Sequence, residues 1–422
     1  MTTLARALIL TALCTPALAG VLHVPDDFAT LGAALQAAND GDEIVVAPGT
    51  YAPSTNGETF PLLLNEDVTL RGAGIGESVL DAERTGSVIR VIGGAGVVRD
   101  FTLTGGDAFR GGGVQIEAGS PEVAHNLIWR NVALKRGSGI NTDGTSTPWI
   151  HHNVVWENSD RDLEEGGDPH GIQAGESSQP LIEHNLVGRT DSNGMIAAES
   201  AVPTIRHNIL VWNGIPGLRG RGICNFGAPG TTIHHNLFFE NEVAALVMFV
   251  DGVLTDIDGA GANAIDGGDL IYGNLDGDPL LADPDAMDFA LTSGSPAIDA
   301  GDPTLGTDPD GSVLDLGPLP FVVVTSAPPL AGFELVGARP NPFNPRTQIE
   351  FTLESAGRVE LRIVDARGRA VRTLTSARFD AGRHAVLWDG SDDDGRSAAS
   401  GVYRAVLRGA EGSISRPLVL VR

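Results

Sequence analysis

The sequence predicts an all-β protein in which a solenoid of stacked short strands is followed by a small β-sandwich. Three observations carry that expectation. A five-residue pattern recurs as Val123-Ala124-His125-Asn126-Leu127, Ile150-His151-His152-Asn153-Val154, Ile182-Glu183-His184-Asn185-Leu186, Ile205-Arg206-His207-Asn208-Ile209 and Ile233-His234-His235-Asn236-Leu237, with a degenerate copy at Ile271-Tyr272-Gly273-Asn274-Leu275. The 422 residues include 55 glycines and 25 prolines but only 5% aromatics, which favours short strands joined by turns over a helical bundle. Finally, no lysine or arginine occurs between Gly222 and Ala338, whereas residues 334–422 hold 14 arginines against 11 acids, so the charge changes sign where a second unit begins.

In chain order, the first 19 residues read as an export signal: Arg6, an apolar run over 7–13, and Ala17-Leu18-Ala19 before Gly20. That run is too short to span a bilayer, and the mature chain is expected to contain no transmembrane segment. Cys14 would leave with the signal. Cys224 then has no internal disulfide partner, so the core or a metal must hold the fold.

The solenoid is expected over 20–324. Successive motif asparagines lie 27, 32, 23, 28 and 38 residues apart, and a second asparagine follows at Asn131, Asn158, Asn213 and Asn241. A unit of that size cannot bury its own apolar face, but stacked on its neighbours it forms a continuous core. Asparagine suits a corner because it tolerates left-handed backbone angles, and its amide can form a ladder from coil to coil. Upstream of each motif, Gly113-Val114, Gly139-Ile140, Gly171-Ile172, Gly194-Met195 and Gly222-Ile223 open a further strand. A Pro-containing linker is placed at 325–333. Strands over 348–353, 358–364, 371–374, 383–388 and 402–407 then predict a sandwich over 334–422.

The repeat resembles the right-handed parallel β-helix family, the fold of pectate lyases, over roughly 21–320. Residues 28–38 resemble that family's amino-terminal capping helix, and 294–302 resemble its closing segment. Pro340-Asn341-Pro342-Phe343-Asn344-Pro345, Trp388-Asp389-Gly390 and Ser400-Gly401-Val402-Tyr403 resemble the immunoglobulin-like module of flagellar hook-capping proteins and type IX sorting domains. That resemblance implies an exported or surface-held protein whose carboxy-terminal module engages secretion or attachment machinery.

The net charge of -26 excludes a general nucleic-acid binder, because nothing offsets repulsion from phosphate. The five motif histidines are read as a stacked polar ladder, since a zinc site needs convergence rather than a straight row. One outward face should carry Trp149, His151, Glu183, Arg206 and His234, a ring beside charges and donors that suits a polysaccharide or surface glycan. Asp168-Pro169-His170 resembles part of the active-site motif of mannuronan C5-epimerases. With Lys135 one coil earlier and Asp191 one coil later, it would form a proton-abstraction set for a lyase or epimerase acting on uronate polymers. Gly171 and Glu165 depart from that pattern. Asn141-Thr142-Asp143-Gly144 echoes polygalacturonases, whose later paired aspartates are missing. The aspartates between Asp251 and Asp315, among them Asp308-Pro309-Asp310-Gly311, admit either calcium or turn chemistry. No other cofactor is expected.

Overall fold

The structure, a computed structural model, describes residues 19–160, 170–216, 220–250, 253–263, 270–321, 333–339, 341, 343–353, 355–365, 370–393, 395–398, 401–409 and 412–420. The proposed export signal, apart from Ala19, and most of the linker lie outside them. The chain forms two compact units, residues 1–321 and 322–422.

The first unit is a parallel β-helix of three long sheets. In one coil, Glu122–Ala124 belongs to the first sheet, Leu127–Trp129 to the second and Ile140–Thr142 to the third. The first sheet has ten strands and the other two have nine each. Register is strict: Val123 pairs with Ile150, Ile150 with Ile182, Ile182 with Ile205 and Ile205 with Ile233. These residues point inward and are essentially fully buried. Stacking like on like gives the core its continuity, because equivalent apolar side chains fill equivalent layers.

The corners explain the motif. Asn126, Asn153, Asn185, Asn208, Asn236 and Asn274 are buried, and each Nδ2 donates to Oδ1 of the next at 3.0–3.1 Å. Asn263 ends the ladder by accepting from Asn274 at 3.2 Å. The left-handed angle falls one residue earlier than expected, on His125, His152, His184, His207 and His235, with φ of 50–55°. Each asparagine Nδ2 must also reach a backbone carbonyl of the preceding coil, as Asn208 reaches Ile182 at 2.9 Å. The sharp bend therefore belongs to its neighbour. A second, shorter ladder runs at the next corner from Asn131 to Asn158 (3.1 Å) and from Asn213 to Asn241 (2.8 Å), with Thr190 in the intervening coil donating to Asn213 at 2.9 Å.

The strand-opening glycines are also a packing requirement. A Cβ on Gly171 would lie 2.6 Å from the Gly194 carbonyl and 2.6 Å from Val187. The first coil is covered by the helix Leu31–Ala37, whose first N–H groups are bound by Glu58 at 2.7 and 3.0 Å. At the far end the hairpin Ala244–Val250 and Val253–Ile257 terminates the third sheet by antiparallel pairing.

The expected closing segment takes another position. Phe289, Leu291, Ala297 and Leu316 pack with Leu127, Val154, Trp156, Leu186, Ile209 and Leu237 on the outward side of the second sheet, forming a second apolar core. Gly317, at φ 91°, donates its N–H to the His207 carbonyl, and its Cβ would meet Ile209 at 2.6 Å. The second-sheet strands from Leu127–Trp129 to Leu237–Phe239 are therefore apolar on both faces.

The second unit is a sandwich with a three-stranded sheet (Phe333–Arg339, Thr347–Leu353, Gly382–Trp388) and a four-stranded sheet (Ala370–Phe379, Gly357–Asp365, Gly401–Gly409, Gly412–Leu420). The first and last of these strands extend the five expected from sequence. Trp388, fully buried, packs on Phe343 and Tyr403. Among the described residues no helix is long and apolar enough to cross a membrane.

Candidate functional site

With the second sheet covered, the first and third sheets hold the outward surfaces on which a ligand could rest. Along the third sheet, Arg90, Gln115, Asn141 and Gln173 stand in register as an outward row. Three of them are nevertheless buried, Asn141 completely. Asp107–Arg110 and Val132–Arg136 pair beside them in a separate sheet. The resulting groove has a volume of about 490 Å³ and is lined among others by Arg90, Phe109, Arg110, Gln115, Asp143 and Glu176.

Asp143 is the hub of the groove. Its Oδ2 accepts from Asn141 (2.7 Å), Arg110 (3.1 Å) and Gln115 (3.2 Å). Its Oδ1 faces Arg136 NH1 at 3.7 Å, beyond hydrogen-bond length, and both atoms are buried without a hydrogen-bond partner. Asn141 Oδ1 and Gln173 Oε1 are in the same condition. Arg136 reaches Glu199 and holds that carboxyl below its ordinary range. Arg90 pairs bidentately with Glu117 at 2.9 and 3.0 Å. The Phe109 ring is 57% exposed. Buried polar atoms without hydrogen bonds are costly, and these lie beneath the groove floor, closed to solvent.

On the first sheet the structure brings together the residues expected on one face. His151, Glu183, Arg206 and His234 occupy one register row, with Trp149 beside it. Trp149 stacks on His151 at 3.9 Å and donates to Glu183 at 2.7 Å, and Arg206 donates to the other Glu183 oxygen at 2.6 Å. His234 stacks on Tyr272 at 4.6 Å. The face is largely closed on itself.

The corner histidines form a column of ring contacts: His152 stacks on His184 at 4.9 Å, while His125 tilts against His152 at 4.9 Å and His184 against His207 at 4.7 Å. Burial drives their imidazoles toward the neutral form, to about 3 for His152, about 4 for His184 and about 2 for His207, with neighbouring histidines adding to the effect. The column is not an isolated row, however. His151 and His234, two residues before the asparagine, turn their Nδ1 atoms to within 2.8 and 3.0 Å of Nδ1 of His152 and His235. The paired His-His dipeptides at 151–152 and 234–235 were the sequence signal for this convergence.

Of the expected proton-abstraction set, Asp168 lies outside the described residues. His170 is 2% exposed, with Nδ1 within 3.4 Å of Ser192 and 3.3 Å of Asn193. Lys135 is exposed and Asp191 half-buried. In the acidic turns, carboxylates accept backbone N–H groups: Asp308 from Asp315 at 2.9 Å, Asp315 from Asp299 at 2.8 Å and Asp310 from Ser312 at 2.9 Å. Only the Asp310–Ser312 bond has the two-residue spacing of an Asx turn, while the other two tie together residues 7 and 16 apart.

The family described as Protein of unknown function (DUF1565) matches residues 20–251, and the FlgD Ig-like domain matches residues 344–413. No curated protein matches the chain. Among solved structures, PorZ, an essential bacterial surface component of the type-IX secretion system of Porphyromonas gingivalis, is similar at 23% identity, over 24% of this chain and 13% of that one, with a TM-score of 0.17.

Proposed function

The chain belongs to the DUF1565 family, a family of parallel β-helices, and from that premise we propose that it is an exported, surface-held carbohydrate-binding protein whose third-sheet groove receives the glycan. The single observation that carries this reading is the groove of about 490 Å³ in which the exposed Phe109 ring stands beside Arg90, Arg110, Gln115, Asp143 and Glu176. Sugar hydroxyls donate and accept at once, so they suit a row that mixes amide, carboxylate and guanidinium groups. The exposed Phe109 ring adds an apolar surface for a sugar face. The export-like first 19 residues, and the likeness of the carboxy-terminal module to sorting domains, support surface display.

The test is retention of the full chain on a panel of immobilised polysaccharides. Asp143→Asn and Phe109→Ala should each weaken retention at least about tenfold, equivalent to roughly 1.4 kcal/mol. Equal retention by both variants removes the groove from the argument. Loss with Trp149→Ala alone moves the site to the first sheet. Release of unsaturated uronate from alginate or pectate would replace binding with lyase chemistry.

A further inference from the structure

We propose that His125, His151 and His152 form a binding site for one divalent transition-metal ion of the zinc type. The three imidazoles come from two consecutive coils, and one nitrogen of each lies within 4.8 Å of the others. Nδ1 of His151 and Nδ1 of His152 face each other at 2.8 Å. Ligand nitrogens around tetrahedral zinc, each about 2.0–2.1 Å from the ion, lie roughly 3.3 Å apart, so the pair needs to open by only about half an ångström.

The partners of each ring are consistent with ligation. Nε2 of His151 lies 3.3 Å from a carboxylate oxygen of Glu122 in the preceding coil. Nε2 makes no hydrogen bond at that separation, and a small rotation of the ring that gives its proton to Glu122 would leave the Nδ1 lone pair for a metal, the arrangement by which carboxylates orient metal-bound histidines. The His125 ring makes no hydrogen bond among the described residues and rests against His152 at 4.9 Å. Glu122 and Asp100 supply nearby negative charge. His125 and His152 are half-buried, which leaves one side of the site open to a fourth, exchangeable ligand.

The two sister clusters identify the choice. His207, His234 and His235 converge in the same way, with 3.0 Å between Nδ1 of His234 and Nδ1 of His235. There, however, both nitrogens of His207 are engaged: Nε2 accepts the Asp302 backbone N–H at 3.0 Å, and Nδ1 faces His184 Nε2 at 3.0 Å. In the Glu183, His184 and His207 group, the carboxylate is already shared by Trp149 and Arg206. The first cluster alone has no ring locked in this way.

Titration of tag-free full-length protein with Zn²⁺ by calorimetry, and with Co²⁺ by its visible ligand-field absorption, tests the site. Wild type should bind one ion per chain, and Zn²⁺ should raise its thermal midpoint. His152→Asn and His125→Asn keep a residue that tolerates the left-handed angle of these corners, and each should weaken binding by tenfold or more. His235→Asn should leave it unchanged. Absence of saturable binding by folded wild type overturns the proposal. So does binding that survives both His152→Asn and His125→Asn, or that is lost in His235→Asn. Circular dichroism of the metal-free variants separates loss of a ligand from loss of fold.

Discussion

The outward rows of the first and third sheets are built from the same coils, yet they treat their polar groups in opposite ways. On the first sheet, Glu183 accepts from both Trp149 and Arg206 and His234 lies against Tyr272, so the row is largely closed, with Nε2 of His151 left buried without a hydrogen bond. On the third, Asn141 Oδ1, Gln173 Oε1 and Asp143 Oδ1 are buried without hydrogen bonds. A residue's type does not reveal whether it is available to a ligand. Its neighbours one coil away do, because stacking places an outward side chain beside two others and lets them use up its hydrogen-bonding capacity.

The comparison can be broken at three points. The largest effect is expected behind the first sheet, in the closed ladder. Asn208→Ala removes an amide that donates to Ile182, Arg206 and Asn236 and accepts from Asn185, leaving buried groups unpaired on both sides. It should destabilise the solenoid by about 3 kcal/mol in chemical denaturation. An unchanged midpoint would show that the ladder is ornamental.

Acidification comes next. His207 and His234 are pushed down to about 2 and about 4, chiefly by burial and then by surrounding histidines and Arg206. Unfolded, both would titrate near about 6.5. The unfolded chain therefore takes up protons first, and the stability these residues contribute is complete above about pH 6.5 and declines as pH falls toward 4, by at most about 1.4 kcal/mol per site per pH unit. Thermal midpoints measured from neutral pH to about pH 5 should fall, and His207→Asn should flatten that slope even as it lowers the neutral-pH midpoint. A slope identical to wild type would show that other groups set the acid limit.

The smallest effect is expected on the third sheet. Gln173 is 4% exposed and its Oε1 has no partner, so Gln173→Met exchanges an unfilled polar group for an apolar one of similar shape. The change should be within about 0.5 kcal/mol of neutral, or stabilising. A cost comparable to Asn208→Ala would mean the third-sheet row is as closed as the first.

Much of this could be read before any coordinates. The spacing of Asn126, Asn153, Asn185, Asn208 and Asn236 announces the coils, and the glycine-led strands announce the third sheet, because a repeat must place like residues in like environments. The outward company of Trp149, His151, Glu183, Arg206 and His234 follows from the same rule with period-2 alternation. Asp143 as a hub was less legible: its partners Arg110 and Gln115 lie 33 and 28 residues upstream, and Arg110 falls outside the repeated strands. The convergence of His151 with His152 was missed for a related reason. A straight column was assumed, whereas the neighbouring row leans into it.

The sequence by itself determined the solenoid, its corner asparagines, its glycine-led strands and the separate sandwich, since each is a local pattern repeated at a period that only one kind of stacking satisfies. Only the tertiary structure decided which faces remain available. Phe289, Leu291, Ala297 and Leu316 lie along the second sheet, where Leu127, Trp156, Leu186 and Ile209 present an apolar face. Burying that face removes apolar surface from water, which favours the placement. Which polar groups are then satisfied depends on contacts between coils, and such contacts do not exist until the chain is wound.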